Sequence, residues 1–216
     1  MKRSLLIFSL FLFSVHTGLI AQVESEGVYF SAADFTKGKI SFANNNTDKK
    51  YQLHLFEFFN TSSIKIITGD SVITLIKDSI FGYRDRKNTC YRFYNKAAFE
   101  ILNPSEKILL YRNTTVAGTP RNSHPVTNYY FSVTADSPVY PLTKWNLNAV
   151  LYKDVHFHEL LDVYFHYDNE LTAYDNINKI YFLNRIYEES QQGLKKINYK
   201  QNENENKCAI FSDHCH

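Results

Sequence analysis

The chain has 216 residues, with 24 basic against 22 acidic side chains, 44% hydrophobic content and only seven glycines. That length and apolar content suit one packed domain, and the scarcity of glycine argues against a low-complexity or loop-dominated chain. A near-neutral balance without a basic stripe excludes nucleic acid as an expected partner, because phosphate neutralisation supplies most of that affinity.

Residues 1–21, "MKRSLLIFSLFLFSVHTGLIA", have the layout of a secretory signal peptide. Lys2 and Arg3 form the positive end, Leu5 to Phe13 the apolar core, and the small Ala21 precedes Gln22. The apolar core is far short of the roughly 20 residues that span a bilayer, and no later run matches it, so no stable membrane span is expected. With Lys2 and Arg3 removed, the remaining basic residues equal the 22 acidic ones. The mature chain is expected to be exported, soluble, and in the periplasm or outside the cell.

After the leader, Gly27 to Ser31 alternates as a short strand, and Ser31 is placed to cap a helical turn through Asp34 and Phe35 that Gly38 ends. "NNNTDKK" (Asn44 to Lys50) reads as a polar loop and Tyr51 to Phe59 as an alternating strand. "SSIKIIT" and "SVITLIK" flank Gly69-Asp70, the signature of a two-residue hairpin. Further short strands follow at about ten-residue spacing: Ile80 to Arg84, Thr89 to Tyr94, Ala97 to Leu102 and Lys107 to Arg112. The turns "DRKN", Asn95-Lys96 and "NPS" separate them. This spacing predicts an antiparallel meander. "NTTVAGTPRNSHPVTN" (Asn113 to Asn128) reads as a polar loop, and Tyr129 to Thr134 as one more strand.

Near Thr143 the period changes. "TKWNLNAVLY" reads as a short helix capped by Thr143. Phe157, Leu160, Leu161, Tyr164 and Phe165 predict an amphipathic helix from Asp154 to about Tyr167. A further helix is expected with Asp175 as cap and Ile177, Ile180, Tyr181, Asn184 and Tyr187 on one stripe. The polar end from Lys195 has little to bury and is expected to fray. The fold class is therefore α+β: an antiparallel β-meander in the N-terminal two-thirds, with about three C-terminal helices packed on it. Residues 22–194 form a single domain, β-rich over 27–142 and helical over 143–192, and residues 195–216 form a flexible tail.

The densest stretch of side-chain chemistry is "FGYRDRKNTCYRFY". Arg84, Arg92 and Tyr94 form a candidate ligand platform, since aromatic faces stack on sugar rings and guanidinium forks pair with anions. That reading requires Arg84 and Arg92 to project to one side beside Tyr94. Alternation also puts Tyr91 and Phe93 on the opposite face, as any half-buried strand does. In "DVHFHELLDVYFH", His158 and Asp162 at i, i+4 are candidate metal ligands. His166, about 12 Å further along a helix, is too far to share the ion, and "HELLD" lacks the second histidine of H-E-x-x-H. The competing reading is a solvated helix face. Cys208 and Cys215 close a short tail loop as the candidate disulfide; the alternatives are Cys90 paired with either of them, which would pin the tail to the body, and a thiolate–imidazole cluster with His214 and His216. Cys90, on a strand, reads as a small buried hydrophobe, and Asn184, on an apolar stripe, as a tie between a helix and a loop backbone.

No G-x-S-x-G, glycine-rich phosphate loop or H-E-x-x-H is present, and no cofactor is expected. The function expected is that of an envelope or periplasmic protein that binds an unknown protein or small ligand without catalysis. The alternative is a hydrolase with a scattered, motif-less active site. "GVYFSAADF" (Gly27 to Phe35), "FGYRD" with "YRFY", and "FHELLD…LTAYDNINKIYFLNRIY" together resemble a family of uncharacterised exported proteins common in Bacteroidetes-type bacteria, and a leader ending in "IAQ" fits that group. The resemblance implies export and a strand-then-helix order. It implies no activity and no site residue.

Overall fold

A computed structural model describes residues 26–44, 50–55, 61–119 and 121–193. The expected signal peptide over residues 1–21, the expected tail and the candidate disulfide between Cys208 and Cys215 lie outside the described residues.

Among the described residues, eleven strands form two antiparallel sheets and two more a small ladder. β1 (Glu26–Tyr29), β2 (Ser41–Asn44), β6 (Gly82–Arg84), β7 (Cys90–Tyr94), β8 (Ala97–Ile101), β9 (Leu109–Ala117), β10 (His124–Ser132) and β11 (Tyr140–Pro141) make an eight-stranded sheet in the order β11-β10-β9-β8-β7-β6-β1-β2. β3 (Gln52–His54), β4 (Ser63–Thr68) and β5 (Ser71–Ile76) make a second sheet of three. From β6 onward the large sheet is the expected meander. Local chemistry sets its turns. Asn95 and Lys96 take left-handed φ values of 49° and 66° between paired Tyr94 and Ala97, the conformation a two-residue hairpin of matching twist requires. In the β6–β7 turn, Asp85 Oδ1 accepts from the backbone N–H groups of Lys87 and Thr89, both at 2.8 Å. After β8, Asn103 Oδ1 accepts from Leu110 N–H at 2.7 Å and its Nδ2 donates to the Ile108 carbonyl at 2.8 Å.

Each face of the large sheet has its own cover. On one face Tyr29, Cys90, Phe99, Ile101 and Tyr111 pack with Phe35 of the short helix α1 (Ala32–Thr36) and with Val139. Ser31 caps α1, accepting from Asp34 N–H at 3.1 Å. On the other face Val28, Tyr83 and Phe93 pack against Ile64 and Ile66 of the small sheet. Further along this second face, Leu110 and Phe131 are directly opposed on β9 and β10 and join the helical core. There α2 (Lys144–Val150), α3 (Val155–Tyr164) and α4 (residues 182–193) contribute Leu147, Phe157, Leu161, Leu183 and Ile186. Thr143 caps α2 through Asn146 N–H at 3.1 Å, and Asp154 caps α3 through Phe157 N–H at 2.9 Å. The α+β class and the strand-then-helix order are those of the sequence.

Three boundaries differ from expectation. Residues 113–128 are not a loop: β9 and β10 run on as a hairpin from Leu109↔Ser132 to Ala117↔His124. Its Thr- and Val-rich strands have high β propensity, and Pro125 is tolerated because it falls in the distal, mostly exposed part of the hairpin. α3 ends at Tyr164, not Tyr167. Phe165 is extended and buried, and Glu170 Oε2 claims the next N–H groups, His166 at 2.6 Å and Tyr167 at 3.1 Å. Asp175 caps no helix. It pairs with Ile180 in a two-strand ladder, β12 (Tyr174–Asp175) and β13 (Ile180–Tyr181), and its Oδ1 closes the turn by accepting from Ile177 and Asn178 N–H. Ile177 is consequently 91% exposed, off the apolar stripe.

Candidate functional site

The second face of the large sheet carries one continuous cross-strand row. Val28 opposes Tyr83, Tyr83 opposes Tyr91, Tyr91 opposes Glu100, Glu100 opposes Arg112, and Arg112 opposes Tyr129. Directly opposed residues project to the same face, so these side chains form a line across six strands. The small sheet covers one end of the line and the helical core borders the other. Between them a cavity of about 430 Å³ opens over β7, β8 and β9, within the range of about 300–1,000 Å³ typical of small-molecule sites.

The cause of the cavity is local. β8 and β9 pair at Ile101↔Tyr111 and Glu100↔Arg112 and part beyond that rung. Small Ala98 leaves the space unfilled, and its carbonyl takes its hydrogen bond from Asn113 Nδ2 at 2.9 Å. The walls are Tyr83, Tyr91 and Phe93 on one side and Arg112, Asn113 and Thr114 on the other. The Tyr83 and Tyr91 rings stack at 4.6 Å with their planes 7° apart, which stops Tyr91 folding into the space beside it.

Arg112 donates to Glu100 from Nε at 3.0 Å and from Nη2 at 2.7 and 2.8 Å. This bidentate pair fixes both side chains in one geometry and raises the Arg112 pKa, chiefly through the Glu100 bond. The Lys77 ammonium lies 5.4 Å over the Phe93 ring and donates to the Lys96 carbonyl at 3.2 Å. A second, shallower groove of about 580 Å³ lies between Thr127–Tyr130 and Asp168–Thr172, but the Asp168 carboxylate there is engaged by Lys144 N–H at 2.8 Å.

The residues of the sequence-derived platform meet the orientation that reading requires, on the face away from the cavity. Gly82 opposes Arg92 and Arg84 opposes Cys90, so Arg84, Arg92 and Tyr94 share the face away from the cavity. Arg92 is only 7% exposed. Its Nη1 donates to Tyr111 Oη at 3.0 Å and Ser132 Oγ at 3.3 Å, and its Nη2 to the Ser137 carbonyl at 2.8 Å. The rings of Phe81, Tyr94 and Tyr111 surround its guanidinium at 5.5–5.8 Å. It is a core tie, with its terminal nitrogens committed inward. Cys90, on the same face, carries a buried thiol 3.8 Å from Tyr29 Oη.

His158 and Asp162 are held by different partners. His158 Nε2 lies 3.0 Å from the Leu151 carbonyl, and Asp162 pairs with Lys144 Nζ at 2.8 Å. Among the described residues no group of three or more metal-ligating side chains comes together. Asn184 does tie a helix to a loop backbone, as the sequence suggests.

Sequence reasoning missed the Glu100–Arg112 pair and Thr114. The two partners lie twelve residues apart on strands whose register depends on how the 103–108 loop closes, and Thr114 fell within a supposed loop. Compared with protein-family models, curated proteins and solved structures, the chain matches none.

Proposed function

We propose that the chain is an exported, non-enzymatic envelope or periplasmic protein that takes a small ligand in the cleft over Tyr91, Glu100 and Arg112. The leader layout of residues 1–21 and the resemblance to exported proteins of Bacteroidetes-type bacteria support export. Among the described residues no helix is long and apolar enough to cross a membrane.

The observation that carries the binding reading is the cleft lining. It joins stacked aromatics to hydrogen-bonding groups already fixed in place, the composition of sites that orient a ligand. The ionisable groups there serve each other: Glu100 holds Arg112, and Lys77 holds a backbone carbonyl. A thermal-shift screen of the chain from Gln22 against glycans, peptidoglycan fragments, lipids and metals tests the reading, since ligand bound to the native state raises Tm. At least one compound is expected to raise Tm, and Ala98→Trp, which fills the cleft, is expected to abolish the shift. A shift that survives Ala98→Trp places the ligand elsewhere. Export is checked by the mass of the secreted protein's N-terminus, expected at Gln22.

A further inference from the structure

We infer that the ligand class of this cleft is a saccharide, recognised by paired donors and acceptors along the Tyr91–Glu100–Arg112 row. The inference rests on the cleft being the ligand site. It follows from what the lining still offers once its internal hydrogen bonds are made.

Glu100 accepts from Arg112 on both oxygens, but each carboxylate oxygen has two lone pairs, so acceptor capacity remains. Arg112 uses Nε and Nη2, which leaves the donors of Nη1 without a partner among the described residues. Its side chain is 44% exposed and that of Glu100 24%, so both reach the opening. Asn113 spends Nδ2 on the Ala98 carbonyl and keeps Oδ1 as an acceptor. Thr114, whose hydroxyl lies 3.1 Å from that of Thr127, both gives and takes. Donors and acceptors thus alternate along one wall, opposite the ring of Tyr91.

A ligand that satisfies this wall must donate and accept within a few ångströms, which vicinal hydroxyls do. A simple anion only accepts, and would meet the Glu100 carboxylate beside the guanidinium it sought. Lys77 does not reverse this, because its ammonium is already turned to the Lys96 carbonyl and the Phe93 ring. A lipid chain would strand the polar wall unpaired, which disfavours it. The apolar C–H face of a pyranose, by contrast, complements the aromatic wall that Tyr83 holds in position.

The test is a calorimetric titration with cellotriose, maltotriose, mannotriose, chitotriose and digalacturonate, alongside sodium sulfate, phosphate and trialanine. At least one saccharide is expected to bind. Thr114→Val and Glu100→Gln, each confirmed as folded by its urea transition, are expected to weaken it about tenfold, and Ala98→Trp to abolish it. Binding of sulfate, phosphate or trialanine alone, lost in Ala98→Trp, overturns the saccharide assignment and leaves the cleft as the ligand site. Saccharide binding unchanged in Ala98→Trp overturns both. Failure of every saccharide to bind overturns the saccharide assignment, while a cleft-dependent hit among the other compound classes of the thermal-shift screen preserves the site.

Discussion

Asn184 on α4 and Ile108, just before β9, are joined by two hydrogen bonds that imitate a strand pair. Asn184 Oδ1 accepts from Ile108 N–H at 2.8 Å, and its Nδ2 donates to the Ile108 carbonyl at 2.9 Å. Both residues are fully buried. The sheet's incoming backbone is thereby satisfied by a helix side chain where no strand is available. Asn184→Leu leaves the Ile108 N–H without a partner, although Asn103 still serves the carbonyl. The expected loss is about 2–3 kcal/mol, read from the urea midpoint at unchanged slope. A loss below about 0.5 kcal/mol, within the range of ordinary surface substitutions, would show that the pair is incidental.

Arg92 separates the architectural reading of its strand from the ligand-platform reading. Its guanidinium bonds Tyr111, Ser132 and the Ser137 carbonyl, so it ties β7 to β9, β10 and the segment after β10. Arg92→Ala is expected to cost about 1–3 kcal/mol by leaving the buried Tyr111 and Ser132 hydroxyls and the Ser137 carbonyl short of a donor. Arg92→Lys should cost less, because an ammonium keeps the charge but cannot reproduce the planar fork. Ligand binding in the cleft, on the opposite face, is expected to be unchanged in Arg92→Lys. A variant that keeps its stability and loses binding would return Arg92 to the surface role.

Residues whose neighbours are local were legible in the sequence; those whose neighbours depend on register were not. Ser31 and Thr143 act as caps, and Gly69-Asp70 joins β4 to β5, because each needs only a few adjacent residues. The alternation of Tyr91 and Phe93 against Arg92 and Tyr94 was equally plain. Which face would be the more deeply covered was not, since Arg92 is buried by Tyr111, Ser132 and Ser137, all 19 or more residues away. Asp175 misled for a related reason. Its carboxylate satisfies N–H groups two and three residues on, as a helix cap does, yet the chain returns through Lys179 at φ 56° as a small hairpin. The cleft depends on β8 and β9 parting beyond Glu100↔Arg112, a tertiary event with no local signature.

Asp175 makes acid stability depend on this turn. The Asn178 side-chain amide, the N–H groups of Asn178 and Ile177, and Arg185 hold its pKa down to about 2, against an ordinary 3.8. A carboxyl depressed in the folded state favours folding above its unfolded value, and that contribution disappears as pH falls through its folded one. Wild type is therefore expected to exceed Asp175→Asn in stability at about pH 5, and the gap to close as pH falls toward 2. Urea titrations of both proteins across that range check it. A gap that stays constant with pH would mean that the carboxylate charge plays no part in the turn.

Glu106 is expected to act with the opposite sign. It accepts from Asn103 Nδ2 at 3.0 Å and from Tyr181 N–H at 3.3 Å, yet burial outweighs these bonds and raises its pKa above 4.5, with Glu188 adding like-charge repulsion. A carboxyl raised in the folded state favours folding below its unfolded pKa, and that contribution is lost as pH rises through the folded value. Glu106→Gln retains an acceptor for Tyr181 N–H and cannot ionise. Its stability relative to wild type should therefore increase between about pH 4 and pH 7, whereas Asp175→Asn loses ground to wild type as pH rises from about 2. Glu106 bonds Asn103 and Tyr181 N–H, not Arg112 or Glu100, so removing its charge is expected to leave the Glu100–Arg112 pair, and binding in the cleft, intact. Denaturant midpoints for wild type and Glu106→Gln at the two pH values decide the point, and a difference that does not change with pH would show Glu106 to be solvated.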